Sequence, residues 1–326
     1  DWSSDVCSSD LGEIRAFPAG GGGARIGPNR NLRHRRRAFV SARRRLVKLR
    51  QLTPAVGAEI EDIDLSLPLT EHLSHALRDA LLAHHVLVIR NQTLNRAQHR
   101  AIAECFGPLH IHPSRKHLPA DQHPELFLID IKPDATQSNG ETWHADITCE
   151  ATPPLASLLY LTEIPSNGGG DTLFTNMHLA FEDLSPDLKS LLLKQVAFHD
   201  GEQDLRQYGI RLKPGQTYPA HPHPVVIRHP TTGAPTLYVN ESFTSHIIGM
   251  ASWESSMLLT GLFNRIKANV RNQCRVQWRP GTLTIWDNYS VQHQAVFDYQ
   301  GHRRYGERLT VSAPCAPEAW PAPSNA

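Results

Sequence analysis

Arg275-Val-Gln-Trp278, Thr282-Leu-Thr-Ile-Trp286, His293-Gln-Ala-Val-Phe297 and Arg308-Leu-Thr-Val-Ser312 follow one another closely, parted by Pro280-Gly281, Asn288 and Gly301. Each run is short, rich in β-branched or aromatic residues, and bounded by turn formers, which is the pattern of consecutive strands. Short strands ended in this way predict a sandwich or jelly roll with helices packed outside, an α+β chain that is mainly β.

The preceding residues supply those helices. Residues 70–85 place Leu73, Leu77 and Leu81 on one helical stripe, with Ala76 and Ala80 beside them and Thr70 as N-cap. Val86-Leu-Val-Ile-Arg90 reads as a strand, residues 93–105 as a helix behind Thr93, and Ser185 as the cap of a helix through Leu193. Val225 to Asn240 reads as a hairpin around Pro230-Thr-Thr-Gly233, and Ser252 to Asn269 as an amphipathic helix.

The chain has 326 residues, 33 Lys+Arg and 32 Asp+Glu. That length fits two domains of about 150 residues or one β-rich unit of about 200–250. Ten of the basic residues, all arginine, and four of the acids fall in residues 1–46, which leaves 23 against 28 in the rest. Residues 1–46 also contain Gly20 to Gly23 and no hydrophobic period, so they are expected to be disordered. Residues 1–11 match the translation of a common sequencing adapter at every position, and the segment as a whole reads as a sequencing or assembly artefact. One globular domain is expected from 47 to 313, and a loose, proline-rich tail from 314 to 326. No run of 18 apolar residues occurs, which argues against a membrane-spanning helix. Cys7, Cys105, Cys149, Cys274 and Cys315 show no C-x-x-C spacing and are odd in number, which favours a reducing cytoplasm over a disulfide framework.

Nineteen histidines make any one of them a poor metal ligand on its own. His144 stands out in Trp143-His144-Ala145-Asp146, the one H-x-D of the chain, because residues two apart on an extended segment emerge on the same side. His123-Pro-Glu125 is a weaker competitor in a polar connection. His293 opens a strand that a jelly roll can return beside His144. Two histidines and a carboxylate on one face form the facial triad of non-haem Fe(II) oxygenases, and Arg304 and Arg308 could fix planar anions beside it.

With these residues in place, the chain resembles the taurine dioxygenase family of Fe(II)- and 2-oxoglutarate-dependent oxygenases. The resemblance is carried by Phe106-Gly-Pro-Leu-His-Ile-His-Pro113, Trp143-His-Ala-Asp146, Gly169-Gly-Asp-Thr172, Val239-Asn-Glu-Ser-Phe-Thr244, Trp286-Asp-Asn288 with Gln292-His293, and Arg304 with Arg308. It runs from about Leu52 to Ala313. It implies a double-stranded β-helix with His144, Asp146 and His293 as ligands of Fe(II). It also implies Thr172 and Arg304 on the distal carboxylate of 2-oxoglutarate, and O₂ as second co-substrate. The sulfonate of a taurine-like substrate would meet His112, Arg308 and the backbone N–H of Ile147, against an aromatic wall at Phe243. Two positions depart from that pocket: Arg115 stands in place of a tyrosine, and Gly140 in place of an asparagine.

The implied activity is hydroxylation of the carbon next to sulfur in an organosulfonate such as taurine, releasing sulfite and an aldehyde. With a guanidinium at Arg115, another sulfonate or a sulfate ester fits as well. The expected partners are a small anionic organosulfur substrate and further copies of the chain in a homo-oligomer, with neither nucleic acid nor membrane. A zinc hydrolase could use the same two histidines and carboxylate, but leaves Arg304, Thr172 and Arg308 without a role. A jelly-roll binding protein would make all these residues structural, and the acidic body opposes nucleic-acid binding.

Overall fold

The computed structural model describes residues 47–321, and the readings made for 1–46 and 322–326 lie outside them. In chain order the elements begin β1 Lys48–Gln51, β2 Ala58–Glu61, α1 Glu71–His84, β3 Val86–Ile89, α2 Arg96–Glu104, β4 Leu109–His110, β5 Phe127–Ile131, β6 Pro154–Glu163 and β7 Thr172–Asn176. They continue α3 Met177–Glu182, α4 Pro186–Leu192, β8 Val196–Asp200, α5 Gly201–Gln207, β9 Ala220–Pro224, β10 Val226–Arg228, β11 Pro235–Leu237, β12 Thr244–Ile247 and α6 Ser252–Ala268. The last strands are β13 Gln273–Val276, β14 Thr282–Asp287, β15 Val291–Ala295, β16 Arg304–Ser312 and β17 Glu318–Ala319.

The described residues are mainly β. An eight-stranded sheet runs β1-β2-β3-β14-β6-β16-β4, with β5 also paired to β16, and a three-stranded sheet runs β13-β7-β15. Among the described strands only β2 and β3 pair in parallel. Strand β6 lies between β14 and β16 and is buried along its first eight residues, as an apolar run covered on both faces must be.

The two-residue period of the strands sorts their side chains into two layers. Ala156, Leu158 and Tyr160 of β6 join Leu87 and Ile89 of β3, Leu283 and Ile285 of β14, and Leu309 and Val311 of β16 in a core with Leu77 and Leu81 of α1 and Ile102 of α2. Leu159 and Leu161 face the other way, with Val88 and Trp286, against Phe174 of β7, Val276 of β13 and Val291 of β15. Full burial of one such leucine contributes roughly 1.5–3 kcal/mol. The same parity turns Ser157, Arg304, Arg308, Thr172 and His293 toward the space between the sheets, so the alternation that builds the core also aims the polar side chains.

Most local expectations hold. Thr70 caps α1 by accepting from the Leu73 N–H, Ser185 caps α4 by accepting from the Leu188 N–H, and β10 and β11 form the expected hairpin. Helix α2 starts later than expected because Asn95, not Thr93, is the cap, in a reciprocal capping box with Gln98. Two strands lie two residues upstream of their expected positions, Gln273–Val276 and Val291–Ala295, since their registers are set by pairing with β7 rather than by turn residues. Part of the tail expected to be loose is paired: Glu318–Ala319 adds to β10, and Trp320 packs against the core around Phe181. No helix among the described residues is long and apolar enough to cross a membrane.

Candidate metal centre and substrate cavity

His144 lies on the end of an extended stretch that forms a single antiparallel bridge with His293 of β15. Asp146 is not on a strand, as the spacing suggested, but opens the following turn, where Ile147 takes a left-handed φ of 54°. Bridge and turn together bring the ligand atoms of His144, Asp146 and His293 within 4.8 Å of one another, all buried. Asp146 Oδ1 is 3.9 Å from His144 Nε2 and 4.0 Å from His293 Nε2.

The surroundings prepare these atoms as donors. His144 Nδ1 donates to the Thr142 carbonyl oxygen at 2.7 Å, which orients the ring with Nε2 toward Asp146. Burial, together with the neighbouring His144, holds the His293 imidazole well below its usual range and therefore neutral. Burial alone would raise the Asp146 carboxyl, but Arg308, His293 and His144 outweigh it and hold it well below the carboxylate range. Ser157 Oγ donates to Asp146 Oδ2 at 2.6 Å, and Arg308 Nη1 to Oδ1 at 2.6 Å. Two imidazole nitrogens and one ionised carboxylate on one wall of a cavity fit a divalent transition metal and leave its other side open.

The cavity, of about 230 Å³, is bordered by nine of the ten residues singled out in the sequence: His144, Asp146, His293, Thr172, Arg304, His112, Ile147, Phe243 and Arg308. Arg304 is only 6% exposed, its guanidinium carbon sits 5.5 Å from the centre of the Trp278 ring, and its Nε has no hydrogen-bond partner. Among the described residues no carboxylate lies within ion-pair distance of it; Asp171 nearby is taken by Arg275 at 2.5 Å. A buried guanidinium without a counter-charge is costly unless an anion meets it. Trp278 Nε1 donates to Thr172 Oγ1 at 3.0 Å, which fixes the hydroxyl beside the same arginine. His112 accepts from the Ser114 N–H through Nδ1 and packs its ring 4.9 Å from that of Phe127. Burial, then the Arg308 charge, lowers His112 to about 3, so it is a neutral hydrogen-bonding group.

Arg115 is the exception. Its Nε donates to the Pro124 carbonyl at 3.2 Å and its Nη2 to that of His123 at 3.3 Å, so it does not border the cavity. The guanidinium satisfies nearby carbonyls of its own loop, a short-range choice that residue spacing does not encode.

Several bordering residues had no signal in the sequence. Asp204 and Tyr208, one helical turn apart on and just after α5, and Tyr218 beyond them close another side. Burial raises the Asp204 carboxyl and raises the Tyr208 hydroxyl to about 12. Helix α5 is held over the cavity by Gln203, which donates to the Glu241 and Thr244 carbonyls, and by Gln207, which donates to that of Ser242. Ser157 could have been found from the alternation of β6, while residues 200–218 show no period to read.

The model of the family described as taurine catabolism dioxygenase TauD, TfdA family matches residues 48–310. A Saccharomyces cerevisiae protein named alpha-ketoglutarate-dependent sulfonate dioxygenase is 35% identical over 289 residues, covering 82% of this chain and 67% of its own. An Acinetobacter baylyi protein named alkylsulfatase is 34% identical over 286 residues, covering 84% of this chain and 87% of its own. The crystal structure of a taurine dioxygenase from Burkholderia xenovorans is similar with a TM-score of 0.69 at 32% identity, covering 82% of this chain and 89% of that one.

Proposed function

The chain belongs to the taurine catabolism dioxygenase TauD, TfdA family and is a 2-oxoglutarate-dependent dioxygenase, and from that premise we propose that it oxidises the carbon next to sulfur in an organosulfonate such as taurine. The observation that carries the reading is the buried Arg304, with its Nε lacking a hydrogen-bond partner and no carboxylate at ion-pair distance among the described residues, in the same cavity as a His, Asp, His donor set. A metal centre with an anion-demanding arginine beside it suits a keto acid co-substrate better than hydrolysis at zinc.

In this reading residues 47–313 are the catalytic domain and form a double-stranded β-helix, supported by the two facing sheets and the similarity to a taurine dioxygenase structure. His144 Nε2, Asp146 Oδ1 and His293 Nε2 would hold Fe(II), which with 2-oxoglutarate and O₂ supplies the oxidising chemistry. Arg304 forks onto the distal carboxylate of 2-oxoglutarate while Thr172 adds a hydrogen bond. Arg308 and His112 bind the sulfonate, with the Ile147 backbone and the Phe243 ring completing its pocket. Phe127, Phe243 and Trp286 keep water away from the reacting carbon. The balance is one sulfonate, one 2-oxoglutarate and one O₂ giving an aldehyde, sulfite, succinate and CO₂, because the hydroxylated carbon expels sulfite on forming its carbonyl.

A second reading places a sulfate ester in the same pocket, favoured by the likeness to the protein named alkylsulfatase; it would release sulfate instead. Both are tested by a panel of sulfonates and sulfate esters with Fe(II) and 2-oxoglutarate, scored for succinate, sulfite and sulfate. His144→Ala, Asp146→Ala and His293→Ala should each abolish turnover. Near-normal turnover in any of the three would sink the assignment of the metal site.

A further inference from the structure

The carboxylate ligand of the proposed centre sits in an awkward place. Asp146 opens a turn rather than lying in a ladder, and the next residue, Ile147, is β-branched yet has φ 54°. A conformation of that kind costs on the order of 1–3 kcal/mol and persists only where the surroundings impose it. The peptide that enters this turn is held by the side-chain amide of Asn288. Its Oδ1 accepts from the Asp146 N–H at 2.7 Å, and its Nδ2 donates to the Asp146 carbonyl at 2.9 Å. This closed pair reproduces with a side chain the exchange of bonds between two facing residues of an antiparallel ladder. The second Nδ2 hydrogen goes to the Pro154 carbonyl at 2.9 Å, at the start of β6. The amide orientation is forced, since reversal would set an NH₂ against an N–H and an oxygen against two carbonyls.

Asn288 is itself anchored. Its N–H donates to the Leu155 carbonyl at 2.8 Å, and the preceding Asp287 is held by His229 Nε2 and Ser290 Oγ, each at 2.8 Å, and by the Tyr289 N–H at 3.0 Å. Five residues further on, the same segment carries His293. Asn288 does not border the cavity and is 1% exposed, so it can touch neither substrate nor metal.

We propose that Asn288 is a positioning residue that locks the backbone of Asp146 and so fixes the aim of its carboxylate relative to His293. The inference rests on the metal-site reading above. Removing the amide frees two backbone groups of Asp146 and lets the strained turn relax, which moves one ligand of three while the core remains.

The test uses Co(II), whose ligand-field absorption reports coordination without turnover. Co(II) is titrated into the wild type, Asn288→Ala and Asn288→Asp, the last keeping shape but setting an oxygen against two carbonyls. Asn272→Ala serves as control, since Asn272 is also buried and hydrogen-bonded, to Asp183. Asn288→Ala and Asn288→Asp should weaken Co(II) binding about 10- to 100-fold, the usual effect of removing a group that orients a ligand, and alter the band shape. Asn272→Ala should lower the melting temperature with Co(II) affinity and spectrum unchanged. If Asn288→Ala does not fold, Asn288→Ser is measured in its place. Folded Asn288 variants with wild-type affinity and spectrum would overturn the proposal, as would equal losses in Asn272→Ala. If the wild type itself gives no Co(II) band, the metal site fails and this inference with it.

Discussion

Gly140 lies directly against His144: a Cβ built on Gly140 would stand 2.9 Å from His144 Cε1. Gly140 also has φ 84°, its N–H donates to the Tyr208 hydroxyl oxygen at 2.9 Å, and its carbonyl accepts from the Ala295 N–H at 2.7 Å. The backbone is pinned on both sides, so a side chain there can be relieved only by moving the imidazole.

Gly140→Ala therefore should act on the metal site, not merely on the fold. The left-handed φ adds about 1 kcal/mol of strain, and displacement of His144 should weaken Co(II) or Fe(II) binding at least 10-fold. Metal titration of folded protein measures it, and unchanged affinity would show that the ring has room to give way.

Arg304 and Arg308 should separate by ligand. Losing a charge-assisted contact in a desolvated pocket costs about 2–5 kcal/mol, roughly 30-fold to several thousand-fold in affinity. Arg304→Ala should weaken 2-oxoglutarate by that factor, followed anaerobically through the visible band the keto acid gives with Fe(II). Arg308→Ala should leave 2-oxoglutarate binding within a few-fold and lose oxidation of the sulfur substrate. Arg308 also donates to Asp146, so a modest fall in metal affinity should accompany it. Reversal of the two effects would exchange their roles.

The acid at Asp204 and the withdrawal of Arg115 bear on the far end of the substrate. A carboxylate beside the pocket favours a substrate bearing a cationic or hydrogen-bond-donating group, and no guanidinium at Arg115 opposes it. Asp204→Asn should cut the preference for taurine over propanesulfonate, measured as the ratio of kcat/KM, by about 10- to 100-fold, the worth of one hydrogen bond to a charged group. Arg115→Ala should leave both substrates within about two-fold. A ratio indifferent to Asp204 would remove it from recognition.

Acid stability should depend on Asp287. Burial would raise its carboxyl, but His229 outweighs it and lowers it from 3.8 to about 2. Because the folded state holds the proton less tightly than the unfolded chain, this group stabilises the fold above about pH 4. That contribution, of about 2 kcal/mol, is lost as pH falls toward 2. Melting temperatures of wild type and Asp287→Asn between pH 5 and 2.5 should converge at the acid end. A constant difference would place the acid limb elsewhere.

Local signals in the chain were enough for several elements and for the kinds of side chain at the site. Thr70 and Ser185 announce helices, the strand residues 282–286 announce β14, and Arg304 and Arg308, four apart, had to share a face once they lay on one strand. The motifs containing His144, Asp146 and His293 named the donor types. What those residues meet depends on contacts between distant parts of the chain. The bridge between His144 and His293 joins positions far apart in the chain, and alternation tells which face a side chain takes but not which distant strand will lie opposite. Asn288 became a clasp only because its amide arrives at the Asp146 peptide, and Asp204 reached the cavity through a short helix held by glutamines. Arg115 turned away because a guanidinium takes the nearest acceptors, here two loop carbonyls, and nearness of that kind exists only in the folded chain.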